Sequence, residues 1–375
     1  MLTTYKIRIY PTAKQAESID TWFVLMAELY NAALQERRDA WILNRISINY
    51  PDQNRQLTDI KKIRPEYKQI NSHALQNVLQ RLDKAFKAFY RRAQSGAGTK
   101  AGFPKFKASK FFDSFSVPNT RYSIDNDRKK LYLSRLGEIK LKLKETEKQR
   151  IEGELKTLTI KRDGRGKFWA TIAAEVEFEK LPHSEKEIGL DLGYRYAICT
   201  SDGKKIENPN LLQKLERKLR IAQRRVTRRK KGSNGRLEAI KILRGIHEKI
   251  RNARNTFQHQ KTAEIISEYG FIAAEDLGIA KMVENNEVPK RNKSLLDVAP
   301  SGIVEKLEYK SKRTGRIFRK VKPSKHNKTA QTCVCGATLA KDIQKDTVKC
   351  LSCGKIEDRG IMSANVILQK AKTTS

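Results

Sequence analysis

The sequence predicts an α+β chain of several domains, in which a β-barrel interrupted by a helical lobe is followed by a second β-rich domain with a cysteine-rich insert. Three observations lead there. Residues 1–12, MLTTYKIRIYPT, alternate polar and apolar as a strand does, and that period returns only after residue 116, in KLYLSRL, EIKLKLK and LKTLTIKRDGRGKFWATIAAEVEFE. Between these stretches, apolar residues recur at three- and four-residue spacing, the mark of helices with one buried stripe. Further on, IGLDLGYRYAICTSDG, Ile188 to Gly203, reads as an apolar strand interrupted by a lone carboxylate, Asp191, and four cysteines crowd between Cys333 and Cys353.

With 375 residues and 38% hydrophobic content, the chain has room for two or three cored domains. Its 78 Lys and Arg against 42 Asp and Glu leave a formal charge of +36, far more than solubility needs. A polyanionic partner is therefore expected, with nucleic acid ahead of a membrane surface. Neither a run of about 18 apolar residues nor a signal-peptide pattern is present, so no membrane role is expected and the chain is read as cytoplasmic, at the nucleoid.

In order, Pro11 stops the first strand, and a helix between Ala13 and Trp41 buries Ile19, Trp22, Phe23, Met26, Leu29, Tyr30 and Leu34. Loop signals around Tyr50-Pro51-Asp52 lead to a helix at Asn71 to Arg92, with Leu75, Val78, Leu79, Leu82, Phe86 and Phe89 as its buried face. Its other face carries Gln76, Asn77, Gln80 and Lys84, amides and a cation suited to base edges and phosphates, although a plainly solvated face reads the same way. After a break at Ser95-Gly96-Ala97-Gly98, Phe103, Phe106, Phe111, Phe112 and Phe115 alternate with Lys105, Lys107 and Lys110. Such interleaving suits base stacking as well as it suits an ordinary small core.

Asp191 calls for a partner, because an unpaired charge buried in a strand costs several kcal/mol and is most often met by a metal ion. A strand carrying Asp followed by a hairpin at Ser201-Asp202-Gly203 is how a ribonuclease-H-like fold opens, and two-metal sites on such folds need further acids. Glu275, at the end of the apolar run FIAAEDLGI, supplies the second. Residues 211 to 254 form a strongly basic helical pair containing Arg224, Arg225, Arg228, Arg229 and Lys230, a charge run that repels itself unless neutralised. Residues 281 to 300 read as a polar lid. Cys333-Val-Cys335-Gly and Cys350-Leu-Ser-Cys353-Gly look like the two knuckles of a zinc ribbon, the first one residue short of C-x2-C. Cys199 reads as a core residue.

Asp191 in G-x-D-x-G, Glu275 in E-D-L, the cysteine cluster and Asp358-Arg359 followed by Ala364 together resemble TnpB, the transposon-encoded RNA-guided nucleases ancestral to type V CRISPR effectors. The resemblance covers nearly the whole chain. It implies a wedge-type barrel in 1–12 and 96–182, a helical recognition lobe in 13–95, a RuvC-type ribonuclease-H-like domain in 183–328, a degenerate zinc-ribbon insert in 329–357 and a closing RuvC segment in 358–375. In that family the last motif runs D-R-D-x-N-A-A, and its second Asp is catalytic. Here Gly360 stands in its place and Met362 replaces the Asn. The reading that follows is a nuclease-dead repressor that holds a guide RNA, binds double-stranded target DNA beside a short adjacent motif, and blocks transcription. Asp191 and Glu275 would be vestigial, holding magnesium without productive cutting, and zinc would sit on the four ribbon thiols. Two alternatives stay open: an active RNA-guided endonuclease in which Asp358 serves as a relocated third acid, and a guide-independent nucleic-acid-binding protein. Asp358 is disfavoured on the assumption that it lies on the helix, where residues two apart point about 200° from each other. A monomer is favoured, with no sequence signal for an oligomer.

Overall fold

The computed structural model describes residues 1–95, 102–143, 151–276, 278, 284, 289–322, 329–339 and 346–373. The chain divides into two compact units, Met1–Glu177 and Phe178–Ser375.

The first unit contains β1 (Leu2–Tyr10), α1 (Ala13–Asn44), α2 (Tyr50–Ile63), α3 (Ser72–Gln94) and then β2 (Ser114–Pro118), β3 (Tyr122–Asp125), β4 (Lys130–Leu133), β5 (Gly137–Leu141), β6 (Glu154–Arg162) and β7 (Phe168–Glu175). Its strands form one antiparallel sheet in the order β2-β6-β7-β1-β5-β4-β3. The two edge strands, β2 and β3, are consecutive in the chain and joined only by the 3-10 turn Asn119–Arg121. So short a link forces the edges toward one another and leaves the sheet nearly closed, which hides most of its unpaired edge. Strand β1 lies at the centre, so the first residues of the chain cannot be ordered until strands more than a hundred residues later arrive.

Helix α1 starts where Thr12 and Gln15 cap each other reciprocally. Its Trp22 and Phe23 pack against Phe115 of β2, the Trp22 ring centroid 5.5 Å away, which ties the helices to the sheet. The stretch expected to be a loop at Tyr50-Pro51-Asp52 is instead the first turn of α2. Asn49 and Asp52 form a second capping box there, and a proline in the first turn removes an N–H that has no intrahelical partner anyway. Helix α3 buries Leu75, Val78, Leu79, Leu82 and Phe86, but Phe89 is only half-buried.

In the second unit, β8 (Glu187–Asp191), β9 (Tyr196–Thr200), β10 (Lys205–Glu207), β11 (Phe271–Glu275) and β12 (Ile317–Val321) form a sheet in the order β10-β9-β8-β11-β12. The strands β8, β11 and β12 run parallel, and β9 runs antiparallel to both its neighbours, β8 and β10. Helices α4 (Leu211–Thr227) and α5 (Asn234–Glu268) lie between β10 and β11 in the chain. Residues 281–283 and 285–288 of the expected lid lie outside the described residues, and from Pro289 the chain is helical, as α6 (Pro289–Val298) and α7 (Pro300–Thr314). A small hairpin, β13 (Thr347–Lys349) and β14 (Ile356–Asp358), runs directly into α8 (Arg359–Thr373).

The run Ile188 to Thr200 is not one strand. It reverses after Asp191 and returns as β9, so Asp191 stands at the end of a strand rather than in its middle. Helix α8 packs on β8 closely enough that a Cβ on Gly189 would sit 2.0 Å from the Ala364 carbonyl oxygen, so only glycine permits this approach.

Candidate active site and thiol cluster

Register brings the first two acids together. Leu190 of β8 pairs with Ala274 of the parallel strand β11, which sets Asp191 and Glu275 side by side at the C-terminal ends of adjacent strands. Burial, and then repulsion from Glu275, push the Asp191 carboxyl up to about 7 against the opposing pull of Arg359. Burial likewise raises Glu275, which is 8% exposed and accepts a 3.0 Å hydrogen bond from Thr329 Oγ1. Ser363 of α8 adds a buried hydroxyl beside Asp191 that acts to lower its carboxyl.

Asp358 enters the same place. A cavity of about 120 Å³ is lined by Asp191, Asp358, Arg195, Tyr196, Arg359 and Gly360, among others. Asp358 is the last residue of β14, not a helical residue, so the 200° separation expected from the helical period does not apply to it. Its Oδ1 accepts from the backbone N–H groups of Gly360 (2.9 Å) and Ile361 (3.3 Å), capping α8, and its Oδ2 meets Lys205 Nζ at 2.5 Å. Gly360 follows with no room for a side chain: a Cβ there would lie 2.6 Å from Cys199 Sγ and 3.3 Å from Asp358 Oδ1. The space that an acid at 360 would use is filled by Cys199, the antiparallel partner of Asp191 across β8 and β9. Cys199 is thus a wall of the site, and burial raises its thiol to about 12. Strand alternation in a β8–β9 hairpin would have paired it with Asp191 from sequence. Nothing local pointed to Lys205, Thr329 or Ser363.

Among the described residues, the group of cysteine and carboxylate ligands able to share one ion is Cys333, Cys335, Cys350 and Cys353. The Sγ atoms of Cys333 and Cys353, and of Cys335 and Cys350, are 3.6 Å apart. That is far longer than a disulfide and close to the roughly 3.8 Å edge of a tetrahedron with Zn–S bonds of 2.3 Å. The shortened first knuckle still turns tightly: Gly336, at φ +89°, donates to the Cys333 carbonyl, and Cys333 donates to Ala337. The second knuckle repeats the turn with Gly354 at φ +75°. Backbone N–H groups of Cys353 and Ser352 lower the Cys350 thiol to about 6, which favours the thiolate a metal needs, whereas burial raises Cys333 to about 12.

The residues singled out for nucleic acid fare unevenly. Arg224, Arg225, Arg228 and Lys230 are exposed around the end of α4, but Arg229 Nη1 donates to the Gly235 carbonyl at 2.7 Å and holds the turn into α5. On α3, Lys84 and Gln80 are exposed, Gln80 donating to Tyr50 Oη, while Gln76 and Asn77 are half-buried and Asn77 Oδ1 lacks a partner among the described residues. Lys105 is exposed. Lys107 Nζ lies 4.3 Å from the Tyr30 ring, and burial lowers its pKa. Phe112 and Phe115 are core, whereas Phe103, Phe106 and Phe111 are exposed.

Three family models match: a probable transposase (OrfB of IS605) over residues 171–286, a helix-turn-helix domain over 1–45, and a Cas12f1-like TNB domain over 301–367. In this fold residues 1–45 are β1 and α1. The chain is TnpB-like. This TnpB-like chain is 26% identical over 97% of its length, and 88% of the relative's, to a putative RNA-guided DNA endonuclease of Streptomyces pristinaespiralis. It is 28% identical over 72% of its length, and 67% of the relative's, to the putative RNA-guided DNA endonuclease InsQ of Escherichia coli K12. Among solved structures it is similar to CasPhi-2 (Cas12j) bound to crRNA, at 10% identity and a TM-score of 0.45 over 99% and 98% of the two chains. It is also similar to a Cas12f1-sgRNA-target DNA complex, at 17% identity and a TM-score of 0.36 over 98% and 99%.

These relatives overturn the expectation that the TnpB-like chain is not an enzyme, since both carry the name of an endonuclease. The cleft itself also differs from that expectation at Asp358. Losing the acid at 360 does not leave the cleft with Asp191 alone, because a strand-end carboxylate two residues earlier lines it. No described helix is long and apolar enough to cross a membrane.

Proposed function

We propose that the protein is an RNA-guided DNA endonuclease whose second unit is a ribonuclease-H-like, RuvC-type domain with Asp191, Glu275 and Asp358 as its acids. The observation that carries this is one cleft lined by both Asp191 and Asp358, with Glu275 on the adjoining strand, in a chain similar to a named RNA-guided endonuclease along almost its whole length. Guide RNA and double-stranded target DNA are the partners, base pairing supplies specificity, and the +36 charge supplies affinity. The barrel and helices of the first unit serve as the wedge and recognition lobe.

The acid site fits a divalent cation. Burial raises both carboxyls, and Glu275 raises Asp191 further despite the pull of Arg359, so a cation there would offset the repulsion. Asp191 and Glu275 would hold magnesium from one side; Asp358 would join after releasing Lys205, since in this conformation the three do not converge on one point. When bound, such an ion would supply stabilisation of the charge that develops on phosphoryl oxygens and would lower the pKa of water. The chain's own contribution is orientation: Thr329 holds Glu275, the α8 amides hold Asp358, and Cys199 walls the cleft. Zinc on the four thiols would keep the hairpin that ends in Asp358 in place.

The test is a cleavage assay with magnesium on DNA matched to the RNA that copurifies with the protein. Cutting that depends on the match, and that is lost in Asp191→Ala and Asp358→Asn, is the expected result. Matched binding with no cutting in magnesium or manganese would overturn the endonuclease. A cleavage-deficient variant that stays bound at a matched promoter would repress it by occupancy, so repression is the expected readout of Asp191→Ala in a cell.

A further inference from the structure

A cavity of about 800 Å³ opens in the first unit, where the end of α1 meets α3 and the segment at Phe103, and none of the chemistry above uses it. Its size is that of a ligand pocket rather than a packing defect. Its walls are aromatic rings together with Ile42, Ile46 and Ile48. Trp41, Tyr90 and Phe103 are 52%, 53% and 44% exposed, and Phe89, placed by periodicity on the buried stripe, lines the cavity with them. Phe103 stands edge-on to Phe86 and Phe89, at 5.4 and 5.3 Å between centroids, so the rings brace one another while leaving faces open. Arg38 and Lys87 line the same cavity, and Arg45 lies 5.8 Å from the Trp41 ring. Asp83, the acid among the lining residues, is neutralised by Arg37 at 3.3 Å and Lys87 at 2.9 Å.

Open aromatic faces inside a cationic rim are the chemistry of base stacking combined with phosphate pairing. Two copies of this chain meeting through the groove would bring their arginines and lysines together, which opposes a dimer. We propose that this groove takes an unpaired nucleobase of a single-stranded nucleic acid, stacked on Trp41 and the Phe89–Phe103 wall, with its flanking phosphates on Arg38 and Arg45. The site lies wholly within the first unit and binding alone reads it out. It therefore stands or falls separately from cleavage at the carboxylates.

The experiment measures binding of the purified full chain to ten-nucleotide probes: oligothymidylate, oligouridylate, and an abasic oligomer of equal length and charge. Working at high salt suppresses the phosphate contribution that all three share. The expected result is roughly tenfold tighter binding of a base-bearing probe than of the abasic one, with quenching of tryptophan fluorescence. Trp41→Ala should erase the difference, while Trp41→Phe should keep most of it and lose its share of the quench, which a mere folding defect would not do. The probe with the larger gain, DNA or RNA, identifies the strand. Equal affinity for abasic and base-bearing probes would overturn the proposal, as would a base-dependent gain that survives both Trp41→Ala and Phe89→Ala. A concentration-dependent dimer that Trp41→Ala dissolves would assign the groove to a second copy instead.

Discussion

The thiol cluster and the carboxylate cleft are both built for cations, yet they are opposites in construction. The thiols come from two short knuckles, each turned by its own glycine, and their sulfurs already stand 3.6 Å apart in cross pairs. The carboxylates come from three distant places in the chain, and in this conformation they do not converge: Asp358 is held by Lys205 and by the start of α8. A closed structural site commits all its ligands to the metal, whereas a site that does chemistry keeps a position open and unbalanced charge beside it. On the function proposed above, the difference makes the acid cleft one that is poised rather than ruined.

The sharpest way to break it is at the acids. Asp191→Ala should reduce guided cutting roughly a thousandfold, equivalent to about 4 kcal/mol of barrier, with matched binding retained. A gel of matched target against time, read beside a binding titration, checks both halves. Replacing Cys350 and Cys353 by Ser should release zinc, since metal binding is coupled to folding of such ribbons. Because β14 ends in Asp358, cutting should fall as well, by about tenfold, which metal analysis and the same gel would measure together.

Gly360→Asp tests whether the cleft has room for the acid that the resemblance expects. The Cβ contact at 2.6 Å from Cys199 Sγ predicts overpacking, with a loss of about 1–3 kcal/mol in stability. Cys199→Ala should recover much of that loss in the double variant. Thermal unfolding of the four proteins decides it, and full stability of Gly360→Asp alone would show that Cys199 is not the obstacle.

A smaller effect is expected on the basic helices. Replacing Arg224, Arg225 and Arg228 by Ala should lower the slope of log affinity against log salt by roughly 2–3 and leave stability nearly unchanged. Adding Arg229→Ala should also lower the melting temperature, because that side chain bonds the turn into α5.

The smallest effect concerns Asp202, which burial pushes up but hydrogen bonds from Thr200, Tyr269 and Lys204 hold at about 2. A depressed carboxyl stabilises the fold above its unfolded value near 3.9, and that contribution is lost as pH falls toward 2. The stability gap between the protein and Asp202→Asn should therefore be about 1 kcal/mol at pH 5 and close as pH drops through that window, by denaturant midpoints.

By itself, the sequence determined features that depend on neighbours a few residues away. Thiol spacing with a following glycine, the apolar runs that carry Asp191 and Glu275, the stripes of α1 and α3 and the excess of cations all repeat at short range, where period and turn chemistry act, although the reversal after Asp191 was not among them. Only the tertiary structure decided which contacts formed between residues far apart. It placed Asp358 on a strand end instead of a helix, filled the position of the missing acid with Cys199, and divided the phenylalanines into core (Phe112, Phe115) and groove (Phe103). The helix at Tyr50 is different, because its reciprocal cap between Asn49 and Asp52 is local and was legible in the sequence beside the proline. For the rest the physical reason is that local periodicity says which face of an element is apolar, but what that face meets depends on segments elsewhere in the chain, whose packing no short window contains.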